Sequence, residues 1–147
     1  MYENGKKEYI AIPVCSNKVT DENELAELRA AFNQQKASIS TKGIYYTKYM
    51  DFSNTMATTD IITNTYHYFY LRCYNLNPSN AQRGFSYYVY YSADGNNWQY
   101  DLFVNRSLLV STKHRMSTLG NGPYIQIKMW SYYGTVNSCT LKLTKSN

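Results

Sequence analysis

The chain has 147 residues, 17% of them charged and 16% aromatic, with a formal net charge of +5. That length is one domain's worth, and this many rings with a core-sized apolar fraction argue against a disordered chain. The 17 Tyr residues, beside 15 Asn, 13 Ser and 13 Thr, argue against a helical bundle, because Tyr, Thr and Asn are poor helix formers while Tyr and Thr suit strands.

The chain opens on a charged stretch, Met1 to Glu8, followed by a short apolar run, Tyr9 to Val14. The run reads as a strand. It is too short for a secretory core, and no run of about 18 apolar residues occurs, so the expectation is synthesis in a cytoplasm without a membrane span. A helix is expected from Glu22 to Lys36, with Asp21 as N-cap and Glu24 three residues on. Glu22, Glu24 and Glu27 favour the positive end of its dipole and Lys36 the negative end. Leu25, Leu28 and Phe32 make one narrow apolar stripe, which either packs on the parent domain or docks on a neighbouring subunit. Residues 1–38 are net −1 and residues 39–147 net +6. This break suggests an N-terminal arm, 1–38, attached to a self-contained domain, 39–147, that folds without it.

The second segment reads as strands near Gly43–Phe52, Asp60–Thr63, Tyr66–Tyr74, Phe85–Ser92, Trp98–Val104, Leu108–Ser111, Tyr124–Ser131 and Ser138–Thr144. Turn-rich stretches separate them, and the spacing points to a mainly β fold. The expected architecture is an antiparallel β-sandwich, jelly-roll or Ig-like, with an N-terminal extension carrying one α-helix. Alternation assigns His67, Phe69, Leu71 and Cys73 to the core, with Ile125, Ile127 and Met129, and Cys139, Leu141 and Leu143. Phe85–Ser92 is ambiguous, with Phe85, Tyr87, Val89 and Tyr91 against Ser86, Tyr88, Tyr90 and Ser92. The outward positions carry Tyr66, Tyr68, Tyr70, Arg72 and Tyr74 on one strand and Trp130 on another. Rings with a scattered Arg make an interface composition, so these residues are expected to form one aromatic contact face.

Chemistry is weakly signalled. Cys15, Cys73 and Cys139 are odd in number and far apart, without a C-x-x-C pair, so neither a disulfide framework nor zinc is expected. His67 reads as a core residue. His114 lies in Lys113-His114-Arg115, read as a basic turn that depresses its basicity. The acids after residue 38 are Asp51, Asp60, Asp94 and Asp101, which is thin material for a glycosidase pair. No phosphate loop, nucleophile elbow or metalloprotease motif occurs. The expectation is no enzyme and no cofactor. The dispersed bases disfavour nucleic acid.

Ser92-Ala93-Asp94-Gly95-Asn96-Asn97-Trp98 is the most specific motif. Asp-Gly suits a tight hairpin turn, and Ser92, Asp94, Gly95 and Trp98 read as a structural hairpin. This S-x-D-G-x-x-W pattern resembles a hairpin of discoidin-like sandwiches and carbohydrate-binding modules, where its role is mainly structural. More widely, residues 39–147 resemble small sandwich proteins of tailed bacteriophages. The likeness runs through Gly43-Ile44-Tyr45-Tyr46 to Ser53, Tyr68-Phe69-Tyr70-Leu71-Arg72, the hairpin, Gly122-Pro123-Tyr124-Ile125-Gln126-Ile127-Lys128 and Thr140-Leu141-Lys142-Leu143-Thr144. The resemblance implies a virion structural protein, a capsid decoration or a neck or tail subunit. Its partners would be other virion proteins, including copies of itself. A carbohydrate-binding module is the alternative, since rings stack on sugar faces.

Overall fold

A computed structural model describes residues 2–3, 6–7, 9–34, 36–38, 46–63, 68–110, 112–115 and 124–145. Tyr66 and His67 lie outside the described residues, as does the Gly43–Tyr45 start of one expected strand. The elements in order are β1 (Tyr2–Glu3), β2 (Lys6–Lys7), β3 (Tyr9–Ile10), β4 (Cys15–Lys18), α1 (Glu22–Gln34) and β5 (Lys36–Ser38). They continue with β6 (Tyr46–Asp51), β7 (Ala57–Thr58), β8 (Ile61–Thr63), β9 (Tyr68–Asn77) and β10 (Phe85–Ser92). The chain then forms β11 (Gln99–Arg106), β12 (Thr112–Arg115), β13 (Tyr124–Ser131) and β14 (Ser138–Lys145).

The described residues are mainly β, with two large sheets packed face to face, a separate β1–β2 pair and one helix. One sheet runs β4-β11-β10-β13-β8-β5, with β7 also paired to β13; the other runs β3-β12-β9-β14-β6. Pairing is antiparallel except for β3 with β12 and β5 with β8, both at sheet edges. Between the sheets lie Phe69, Leu71 and Cys73 of β9 and Cys139, Leu141 and Leu143 of β14. They face Phe85, Tyr87, Val89 and Tyr91 of β10 and Ile125, Ile127 and Met129 of β13. Each large side chain so buried contributes roughly 1.5–3 kcal/mol against the entropy of ordering the chain. The core parity of β10 is thus Phe85, Tyr87, Val89 and Tyr91.

The other parity of β10 is covered as well. Tyr90 joins Val19, Leu28, Ile61 and Trp98 in a second buried cluster, with Leu25, Phe32, Tyr88 and Tyr124 packed against it. The helix α1 therefore lies on the outer face of the larger sheet, and the layers run helix, sheet, sheet. The Glu24 N–H donates to the Asp21 carboxylate at 2.9 Å, which satisfies one of the orphan donors of the first turn.

The helix ends at Gln34, and Lys36, read as its basic C-terminal end, begins β5. The described part of residues 1–38, expected as an arm on a self-contained 39–147 domain, is built into both sheets. It supplies β3 to one sheet and both edge strands, β4 and β5, to the other, with α1 between them. Of the expected strand Leu108–Ser111, the described residues Leu108–Val110 form a turn and bend, and Ser111 lies outside the described residues. The Leu108 side chain is fully buried in the core, while the Leu108 carbonyl accepts the Cys73 N–H at 2.6 Å. The strand comes next, as β12, in the segment read as a basic turn. Its period-two signal is hidden because the inward residues, Thr112 and His114, are polar.

Candidate contact face

The outer face of the smaller sheet is built by period two. In β9, Tyr68, Tyr70, Arg72 and Tyr74 alternate with the core residues Phe69, Leu71 and Cys73. Register sets their neighbours. Lys113 of β12 and Thr144 of β14 flank Tyr70, Lys142 flanks Arg72, and Thr140 stands between Tyr74 and Tyr49 of β6. The cations lie on the rings. Lys113 Nζ sits 4.3 Å from the Tyr68 centroid, Lys142 Nζ 4.7 Å from that of Tyr74, and Arg72 Cζ 5.0 Å from the same ring. Each such contact is worth about 0.5–1 kcal/mol at an exposed site. The tyrosines are half-buried and Arg72 is exposed, while Tyr49 keeps 64% of its surface open. Asp51 is the single acid in β6, β9, β12 and β14. The result is a mosaic of rings and positive charge, more hydrated than a purely apolar patch.

Trp130, expected on this face, is not there. It projects from β13 on the outer side of the other sheet, 5.5 Å from Tyr88, so the two aromatic sets occupy opposite sides of the sandwich. Leu25, Leu28 and Phe32 are also occupied within the chain. Leu28 is only 3% exposed, and Phe32 meets Tyr124 edge-on at 4.7 Å.

The hairpin residues converge on one turn. The Ser92 hydroxyl donates to the Asn97 carbonyl at 2.6 Å and accepts the Gly95 N–H at 2.8 Å. One Asp94 oxygen accepts the Asn96 and Asn97 N–H groups at 2.8 and 2.9 Å. These backbone donors, Asn97 foremost, lower the Asp94 carboxyl to about 2. Gly95 has φ +78°, and a side chain there would run into the Phe32 ring. Trp98 is buried and its indole N–H donates to the Gly95 carbonyl at 2.9 Å. The turn thereby seats both the indole and the helix.

Titratable groups sit in separate places. His114 is buried against Phe69 and Phe103, with Nε2 2.9 Å from the Tyr87 hydroxyl. Burial, then the charge of Arg106, holds it down at about 3, so burial in a strand rather than a basic turn sets its state. Asp60 accepts from Tyr46 at 2.8 Å, Asp101 from Ser16 at 2.5 Å, and Asp51 from the Ser53 N–H at 3.0 Å. Burial raises the Asp101 carboxyl against the opposing Ser16 and Tyr91 bonds. Cys73 and Cys139 are buried free thiols, and burial followed by Cys139 pushes Cys73 well up. Among the described residues no group of three or more His, Cys, Asp or Glu gathers to hold a metal ion.

Two surface features escape the sequence reading. Lys113 and Lys142 are far from β9 in sequence, and only pairing brings them to its tyrosines. Ile10, Ile12 and Val14 are each more than 60% exposed along the segment that crosses from one sheet edge to the other. Their i, i+2, i+4 spacing was visible, but the strand signal gave no way to tell that this parity faces solvent. No protein family model, no curated protein and no solved structure matches the chain.

Proposed function

We propose that this protein is a non-enzymatic structural protein of a phage particle, synthesised in the host cytoplasm and carried in the virion. It works by surface contact, as a capsid decoration in preference to a neck or tail subunit. The phage assignment rests on the sequence resemblance. The contact role is carried by one observation, the ring-and-cation face of Tyr68, Tyr70, Arg72 and Tyr74 with Lys113 and Lys142. Tyrosine and arginine together are the residue types that dominate binding energy in protein interfaces. Sedimentation of the purified chain, alone and with phage particles, tests the reading. Self-association or co-sedimentation is the expected result. A stable monomer that binds no particle protein overturns it.

A carbohydrate-binding role is the second reading. Tyr49, Tyr132 and Tyr133 support it, with 64%, 46% and 41% of their surfaces open for stacking on sugar rings. Trp98 gives it no support, because that ring is 1% exposed. Glycan titration of the Tyr49→Ala variant separates the two, since only a lectin loses sugar affinity.

A further inference from the structure

Resting on the assembly reading above, we infer that the ring-and-cation face receives the solvent side of α1 from a second copy of this chain, head to tail. The two surfaces lie on opposite broad sides of the molecule, one outside the smaller sheet and one on the helix that covers the larger. A single chain cannot bring them together, but a neighbour can.

Charge is complementary. The exposed charged residues of the described helix are Glu22 and Glu27, with exposed Asp21 just before it. Arg29 is half-buried and donates to the Asn96 carbonyl at 2.9 Å. Lys18 lines a hollow with Asp21 and Glu24, and Lys128 lines one with Glu24 and Glu27, so Asp21, Glu22, Glu24 and Glu27 outnumber the two lysines on this side. Across the molecule stand Arg72 of β9, Lys113 of β12 and Lys142 of β14, strands without an acid, with Asp51 on the adjoining β6.

Shape is complementary too. Asn23, Ala26 and Ala30 are exposed between the acids, so the helix side is low and allows close approach to a flat row of rings. Thirteen helical residues span about 20 Å, and Tyr68 to Tyr74 spans about the same along its strand. Because the two patches differ, the contact is heterologous, and it propagates into a ring or a filament.

Charge reversal tests this. One variant carries Lys113→Glu and Lys142→Glu; the other carries Glu22→Lys and Glu27→Lys. Each alone is expected to sediment as a monomer, while an equimolar mixture associates again, since each reversed patch now meets its complement. Wild-type association is expected to weaken about tenfold or more between low salt and roughly 0.5 M salt. If the double lysine reversal lowers the melting temperature, the pair Lys113→Gln and Lys142→Gln gives the same direction with less strain. A mixture that stays monomeric, or single variants that associate like wild type, overturns the inference. A wild-type monomer that still sediments with particles also overturns it but leaves the assembly reading standing. Loss of single-stranded DNA binding in the lysine variant, with no self-association of wild type, overturns it in favour of nucleic acid.

Discussion

His114 is a buried base whose neutrality the fold depends on, and lowering the pH should expose that dependence. Its folded value is about 3, against about 6.5 for an ordinary histidine. Between those values the unfolded chain binds a proton that the folded chain excludes, so stability falls as pH falls. The contribution is fully present above about pH 6.5 and is lost at about 1.4 kcal/mol per pH unit below it. Two units of acidification then remove about 3 kcal/mol, a large share of the 5–15 kcal/mol typical of a whole domain. Asp94 acts in the same direction, but only below about 3.8, and the raised Asp101 acts oppositely near its own range. The upper part of the window therefore reports the histidine. His114→Phe keeps the ring contacts with Phe69 and Phe103 but leaves the Tyr87 hydroxyl without its partner, at a cost of about 1–3 kcal/mol. Urea unfolding from about pH 7 to about pH 5 should show a falling curve for wild type and a lower, flatter one for the variant. Parallel curves would refute the reasoning, because the pH dependence would then belong to another group.

Gly95→Val forces a branched side chain into positive φ and into the Phe32 ring, and should cost on the order of 1–3 kcal/mol or more. Gly134→Ala, at φ +71° with nothing within 4 Å, carries the backbone strain alone and should lower the melting temperature less. Leu28→Ala should cost roughly 2–5 kcal/mol in urea titrations, since its side chain is packed with Tyr90 and Trp98. Deleting residues 1–36 strips β4 from β11 and uncovers that same cluster, so the truncated chain should lose its cooperative thermal transition; a sharp, wild-type-like melt would restore the arm reading. A thiol reagent should label Cys15 in the native protein, and Cys73 and Cys139 only after unfolding, counted by mass spectrometry.

Parity along a strand was legible in the sequence wherever one side was aliphatic, as in Ile125, Ile127 and Met129 or Cys139, Leu141 and Leu143. It failed where burial is two-sided. In β10 every residue except Tyr88 is buried, because the sheets close on one side and α1 on the other, so no alternation survives. It failed again in β12, where a buried histidine stands where an aliphatic residue would have announced a strand. The helix stripe was legible, but its target was not, because Tyr90, Trp98 and Ile61 are distant in sequence and meet it only through the sheet. Trp130 shows the deeper limit. Its outward parity was correct, yet parity is local and sheet membership is not, so nothing in β13 alone could separate its side from that of Tyr68.

Tyrosine carries both sides of this difficulty, because its ring is apolar and its hydroxyl needs a partner when buried. In the interior the hydroxyl finds one: Tyr87 meets His114 at 2.9 Å, and Tyr46 donates to Asp60 at 2.8 Å. Burial raises both hydroxyls well above their ordinary value, so they stay protonated and can go on donating. On the outer face the ring itself is the partner, offered to Lys113, Arg72 and Lys142. One residue type thus serves as core where a polar side chain can reach its oxygen, and as surface where a cation can reach its ring. His114 reaches Tyr87 across the sandwich, Asp60 reaches Tyr46 from the segment before β8, and Lys113 and Lys142 reach their rings from paired strands, while Arg72 reaches Tyr74 within β9. Most of the sorting of the tyrosines therefore follows from the packing and order of the sheets, which bring together residues distant in sequence.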